Sequence, residues 1–350
     1  MSPNFWRNRS VFLTGHTGFK GGWIALWLSR LGAKVHGYSL APPTTSNFYT
    51  ATQLQDRLQS STIADIRDLP KLASAMQAAQ PSIVIHMAAQ PLVRESYNTP
   101  VDTFATNVIG TVNVLEAARR IETVQGIVNI TTDKCYENQE WLWPYRENDR
   151  LGGRDPYSSS KACAEIAAAA YRNSFLNQSG IQLASVRAGN VIGGGEWATD
   201  RLVPDFLRAI DAGQILRIRS PNAVRPWQHV LEPLSGYLML AERLVTDGAE
   251  FAEAWNFGPE EFDAKPVSWI VERICQKLPH ARWELEGAPQ PHEAGLLKLD
   301  SAKAKTRLGW APRWSLETAL DKTVEWHQAW KERQSMLEIS INQIDTYVSS

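Results

Sequence analysis

Tyr157 and Lys161 stand four residues apart in DPYSSSK, where a helix is expected to begin. That spacing puts both side chains on one helical face. A nearby ammonium stabilises phenolate and lowers the tyrosine pKa, which makes the phenol a usable base for an alcohol proton. A second group, Thr132, Asp133 and Lys134, lies in NITTDKCYEN, directly past the short apolar run 127–130. A carboxyl and an amine side by side can give and take protons. Each pattern also has a plainer reading, since YxxxK is common and a polar turn leaving a sheet can read TDK. Cys135 and Tyr136 in the same stretch read as packing or positioning residues.

The first strand runs into GHTGFKG, which sets Gly15, Gly18 and Gly21 in a GxxGxxG spacing that opens a helix. Glycines there permit a tight turn and a close backbone approach to a pyrophosphate on the helix N-terminus. The loop is not of the Walker A type, because Lys20 is followed by glycine rather than serine or threonine. The spacing points to a dinucleotide, with Gly15, Thr17, Gly18, Phe19, Lys20 and Gly21 as expected contacts. The second strand ends in GYSL, so Ser39 stands where an acid for the adenosine ribose is expected. A serine can bond a ribose hydroxyl, but without charge. No arginine follows to meet a 2′-phosphate, which favours NAD over NADP. Asp65 and Ile66 in ADIRD, Ala88, Ala89 and Gln90 in HMAAQ, and Asn107 complete the expected cofactor set with Tyr157 and Lys161.

These residues need a scaffold. Short β-branched apolar runs recur at 10–13, 34–38, 82–86, 126–130 and 182–186. Near-continuous hydrophobicity in such runs indicates strands covered on both faces, hence a parallel sheet. Between them, 21–31, 69–79, 101–120 and 158–175 carry apolar residues at helical spacing. The alternation predicts an α/β fold with a doubly wound parallel sheet over residues 1–190, the Rossmann-type cofactor domain. A segment near 225–258 is expected to return to it. Residues 191–350 are expected to form mainly a smaller substrate-binding region with a final helix near 316–332, the last dozen residues fraying. A substrate diphosphate needs local positive charge and amide donors, for which Asn190, Arg201, Arg219, Arg225 and, more weakly, His292 are the candidates; Arg208 and Arg217 share the same arginine-rich region.

Composition narrows the function. A net charge of −1 gives no electrostatic case for nucleic acid or an anionic membrane surface. The N-terminus MSPNFWRNRS lacks a signal-peptide layout, and the first apolar run is far too short to span a bilayer. Three scattered cysteines form neither a disulfide framework nor a zinc ribbon, which fits a cytoplasmic protein. No HExxH or paired CxxC supports a metal site.

GxxGxxG on the first strand and YxxxK on a later helix together resemble the extended short-chain dehydrogenase/reductase family. Further stretches place the resemblance in its nucleotide-sugar branch, nearest the CDP-glucose 4,6-dehydratase group: GHTGFKGGW, GYSLAPPT, HMAAQPLVRESY, ATNVIGT, TTDKCYENQEW, YRENDRLGGRDPYSSSKACAE, RAGNVIGGGEW and RPWQHV. The match runs from about residue 5 to about residue 330. It implies a redox-neutral, NAD-dependent dehydration of CDP-glucose. Tyr157, aided by Lys161 and Thr132, takes the C4 hydroxyl proton as hydride leaves C4. Asp133 acts as acid toward the C6 oxygen and Lys134 as base at C5, and hydride returns to C6. Lys134 stands where dTDP-glucose dehydratases carry glutamate; as a base it must be neutral part of the time, which calls for burial or a cationic neighbour such as Lys161. The resemblance also implies a homodimer joined through helices that include the Tyr157 helix, and a role in deoxysugar supply for surface polysaccharide. Other readings stay open: a UDP-GlcNAc-type 4,6-dehydratase, a 4-epimerase, or a non-catalytic NAD-sensing protein on the same scaffold.

Overall fold

The computed structural model describes residues 2–278, 280–286 and 295–350. Its centre is a parallel sheet built from β1 (Ser10–Thr14), β2 (Lys34–Ser39), β3 (Ser60–Ile63), β4 (Ile83–His86), β5 (Gly126–Ile130), β6 (Gln182–Ala188) and an edge strand, Ala254–Phe257. From one edge to the other the order is the Ala254–Phe257 strand, β6, β5, β4, β1, β2 and β3. Every pairing in the sheet is parallel. The chain winds outward from β1 to β3, then crosses back to lay β4 on the other side of β1. Loops leaving β1 and β4 therefore diverge and open a crevice at the carboxyl ends of the strands.

Side-chain alternation along the strands separates two cores. Val11 and Leu13 of β1 join Ile83 and Ile85 of β4 under the helices Phe19–Arg30 and Leu231–Thr246, whose Trp23, Trp27, Leu234 and Leu238 fill that face. Phe12, Val84 and Ile127 point the other way, against Leu72 and Met76 of Leu69–Ala79 and Val114 and Leu115 of Gly110–Ala118. Burying each such side chain contributes about 1.5–3 kcal/mol. A third core lies beyond β6, where Val203, Phe206, Ile270, Ile274, Leu316 and Leu320 pack three helices together: Leu202–Asp211, Val267–Lys277 and Leu316–Lys331.

Two elements differ from the sequence expectation. β3 carries the polar sequence SSTI and is half-exposed at the sheet edge, so it presents no apolar run to read. The last residues do not fray: Met336–Ser349 is a helix, capped by the Ser335 side chain at Glu338 N. Met336, Ile344 and Tyr347 are buried there, and the Tyr347 phenol donates to the buried Glu232 carboxylate at 2.7 Å. Glu232 also accepts from the Trp314 amide at 2.8 Å, and burial lifts its pKa to about 7. A polar anchor under two aromatic rings holds the chain end, which no local pattern announces.

Candidate active site

The glycine loop joins β1 to the Phe19–Arg30 helix. Gly15 has φ +82°, and a Cβ there would stand 2.8 Å from Ala88 N in the loop after β4. A Cβ on Gly21 would stand 1.9 Å from the Gly15 carbonyl oxygen, so no side chain fits at that turn. Gly18 is the N-cap and supplies no side-chain cap, which leaves the first-turn amides to an anion. This cradle fits a dinucleotide pyrophosphate. At the expected adenosine end, Ser39 Oγ lies 2.8 Å from Thr17 Oγ1, a neutral pair without a carboxylate. Asp65 is ion-paired with Arg67 at 2.7 Å, which holds its pKa below the ordinary carboxylate value. Ile66 is buried under Gly110. Along the β4 loop, Ala88 N donates to Thr14 Oγ1 at 3.1 Å, Ala89 is half-buried beside it, and Gln90 N donates to Asn107 Oδ1 at 2.9 Å. Asn107 in turn donates to Ser160 Oγ at 2.9 Å, tying this strip to the catalytic helix.

That helix, Pro156–Tyr171, begins at the Asp155 cap, whose side chain accepts from Ser158 N. Tyr157 and Lys161 lie on its buried face. Burial pushes the Tyr157 phenol up to about 12, while Arg201 and a hydrogen bond with Thr132 pull it down. Lys161 Nζ donates to the Ile130 carbonyl at 3.0 Å, and burial lowers its pKa to about 8 against the pull of Glu165. The sequence paired Tyr157 with the Lys161 ammonium; among described residues the leading cation acting on the phenol is Arg201.

Thr132, Asp133 and Lys134 form the turn after β5. The Thr132 hydroxyl donates to Asp133 Oδ1 at 3.0 Å and accepts from Lys134 N at 3.3 Å. Asp133 is 2 % exposed, and its Oδ2 is buried without a hydrogen-bond partner among the described residues. Burial raises its pKa, against the opposing charges of Lys134 and Arg225. A carboxyl whose protonated form is favoured by burial, with one oxygen unspent, suits a proton donor. Lys134 lines a cavity of about 710 Å³ with Arg225, Asp155 and Ser158. Arg150, Arg154 and Arg225 are the cations that line this cavity with Lys134, and Lys161 is not among them.

The remaining arginines divide. Arg201 donates to the Pro91 carbonyl at 2.9 Å and faces Tyr157 and Lys20. Arg219 pairs with Asp200 at 3.3 Å, the carboxylate that also meets Arg94. Arg208 bonds the Trp197 carbonyl and Arg217 pairs with Glu284, so neither points to the crevice. Asn190 follows β6, and its carbonyl accepts from Gln228 N at 3.0 Å. His292 lies outside the described residues. Lys20 reaches further than a loop residue is expected to: its ammonium stands 3.3 Å from the Tyr237 hydroxyl, near Asp133 and Lys161, and burial lowers it to about 8. Cys135 and Tyr136 are fully buried, and burial raises both pKa values, as packing residues require. No group of side chains among the described residues has metal-ligating geometry, and no described helix is long and apolar enough to cross a membrane.

The chain is similar to several known proteins. The family model for GDP-mannose 4,6 dehydratase matches residues 12–323. A CDP-glucose 4,6-dehydratase of Salmonella typhimurium is 53% identical, covering 100% of this chain and 99% of that protein. A dTDP-glucose 4,6-dehydratase of Xanthomonas campestris pv. campestris is 25% identical over 91% of this chain and 93% of its own. Among solved structures, UDP-glucose 4-epimerase of Thermotoga maritima with UDP-glucose superposes with TM-score 0.80 at 22% identity, covering 92% of this chain and 99% of that one. A dTDP-glucose 4,6-dehydratase of Bacillus anthracis in complex with NAD gives TM-score 0.78 at 23% identity, over 94% and 99% of the two chains.

Proposed function

The chain belongs to the GDP-mannose 4,6 dehydratase family, and from that premise we propose that it catalyses the NAD-dependent, redox-neutral dehydration of CDP-D-glucose to CDP-4-dehydro-6-deoxy-D-glucose. The observation that carries the reading is the buried Asp133 carboxyl, whose Oδ2 has no hydrogen-bond partner among the described residues, in the same turn as Lys134 and next to Tyr157. An epimerase or a cofactor-sensing protein has no use for an acid and a base beside the hydride-transfer pair. The cytidine nucleotide is supported by the Salmonella relative, similar along its whole length.

NAD, when bound, supplies the acceptor for the C4 hydride and the donor for its return to C6. The glycine loop and the half-buried strip 87–90 would hold it, with Ser39 and Asp65 at the adenosine end and Lys161 beside Tyr157. Tyr157 takes the C4 hydroxyl proton, its phenolate favoured by Arg201 and Thr132. Lys134 removes the C5 proton, acidified by the new 4-ketone, as Asp133 protonates the departing C6 hydroxyl; when hydride returns to C6, Lys134 gives its proton back to C5, and the proton taken up by Tyr157 balances the one Asp133 has lost. Arg201, Arg219 and Arg225, with Asn190, are the candidates for the diphosphate; Arg225 lines the cavity that Lys134 also lines. His292 is a weaker one.

Incubation with CDP-, dTDP-, UDP- and GDP-glucose plus NAD, followed by mass, tests the assignment. Loss of water from CDP-glucose far above the others is expected. Equal turnover of dTDP-glucose would sink the nucleotide assignment, and an unchanged mass with inverted C4 would identify an epimerase.

The proposal extends to a homodimer in the cytoplasm. Val101 and Ile109 are exposed on the 100–118 helical segment, and Ile166 on the adjoining catalytic helix. A second copy of this chain covering these apolar side chains accounts for them. The three cysteines are free thiols, suited to a reducing compartment. Ile109→Asp combined with Ile166→Asp should turn a dimer into a monomer by light scattering; an unchanged mass would place the interface elsewhere.

A further inference from the structure

Beneath the catalytic groups lies an ion pair that the reaction does not use. Glu165 sits one helical turn past Lys161 and two past Tyr157, on the same buried face. Arg187 of β6 grips it with two bonds, Nε to Oε1 at 2.8 Å and Nη2 to Oε2 at 3.0 Å. The two side chains are 3% and 4% exposed. A desolvated pair of this kind seldom raises stability over apolar residues of the same size, so its retention invites another role.

The bonds of this pair reach both flanks of the Thr-Asp-Lys turn. On the near flank, the Thr131 hydroxyl donates to Glu165 Oε1 at 2.5 Å and to the Val186 carbonyl at 3.1 Å. On the far flank, Cys135 Sγ lies 4.0 Å from Glu165 Oε1, and Arg187 Nη1 donates to the Tyr136 hydroxyl at 2.7 Å. Tyr136 then donates to Asn256 Oδ1 at 2.7 Å, and Arg187 Nη1 to the Glu147 carbonyl at 3.0 Å. The turn between is thus clamped to the same helix that carries Tyr157 and Lys161.

We propose that Glu165 and Arg187 are positioning residues that lock the elimination turn in register with the Tyr157–Lys161 helix. The inference rests on the catalytic roles proposed above. Of the groups facing Lys161, Glu165 is the leading one that favours its charged form, followed by Cys135. Lys20, from the glycine-loop helix, faces it as a second cation, and His86 of β4 is held neutral with its pKa lowered to about 3. Arg187 compensates Glu165 from β6, and buried Cys135 stays a thiol. Removing the Glu165 charge therefore lowers the Lys161 pKa. The loss of activity that follows Lys161 deprotonation then moves to lower pH.

The test is Glu165→Gln, assayed as kcat against pH with CDP-glucose and NAD, alongside melting temperature and amide exchange over 130–136. The alkaline limb should move down by about half a pH unit or more. Rate should fall roughly ten- to hundredfold, KM should barely change, and exchange at the turn should quicken. Glu165→Asp, which keeps the charge, should restore the limb but not the full rate. Because Glu165→Gln leaves Arg187 uncompensated, Glu165→Gln/Arg187→Met is the second variant, with the same limb shift expected. A folded variant with an unmoved limb and unchanged exchange overturns the proposal, as does recovery of both variants only as unfolded protein, which would make the pair a stability element. Wild-type protein that leaves CDP-glucose untouched defeats the functional reading instead, so the two failures are distinguishable.

Discussion

Tyr157→Phe should lower the rate of CDP-glucose dehydration by about 10²- to 10⁴-fold, the range expected when a positioned proton-transfer group is removed. The substitution deletes one oxygen from a buried ring and leaves the helix and its cap in place. Substrate affinity should change only a few-fold, since the diphosphate candidates Arg201, Arg219 and Arg225 are untouched. The phenol is pushed up to about 12 by burial, so its anion depends on Arg201 and Thr132. Because the base form is the deprotonated one, wild-type rate should rise with pH through the phenol's effective pKa, and the variant should lose that rise. Because Tyr157 acts at the first step, the variant should show neither reduced nicotinamide absorbance nor loss of water. A variant with more than a tenth of wild-type activity and an intact acidic limb would remove Tyr157 from the base role.

The parts of this site that can be read from sequence are those fixed by local geometry. Gly15 and Gly21 are legible because one needs positive φ and the other cannot accept a Cβ. Tyr157 and Lys161 are legible because an i,i+4 spacing on a capped helix needs no tertiary information. The same rule extended one turn reaches Glu165, a signal present in the sequence and passed over. Asp133 is legible as a position but not as a chemical state, since its flanking polar residues suggest solvent and its burial comes from the surrounding fold. Arg201, Arg208, Arg217, Arg219 and Arg225 look equivalent in sequence. They separate only through partners set by loop paths, such as Arg217 with Glu284 and Arg225 at the cavity wall. β3 and the C-terminal helix escape notice for a related reason: a polar edge strand and a helix docked on Trp27 and Trp314 depend on what they pack against.

Asp133→Asn should separate the two halves of the reaction. The asparagine matches the carboxyl in size and can still accept from the Thr132 hydroxyl that now lies 3.0 Å from Asp133 Oδ1. What it cannot do is deliver a proton to the C6 oxygen. Burial raises the Asp133 pKa, which favours the protonated carboxyl that elimination needs. Removing that donor should slow water loss by about 10²- to 10⁴-fold. Tyr157, Lys161 and Thr132 remain, so C4 oxidation should proceed and reduced nicotinamide absorbance should build up with the sugar mass two hydrogens lighter and no water lost. Lys134→Met should stall at the same point, because the C5 proton and the C6 hydroxyl leave in one elimination. The contrast with Tyr157→Phe is what assigns the roles: one variant is silent at both steps, the other two stop between them. If Asp133→Asn lost oxidation and elimination together, the carboxyl would belong to the hydride-transfer pair. If it turned over at the wild-type rate, the proton would come from elsewhere, and Asp133 Oδ2 would have no part in the chemistry.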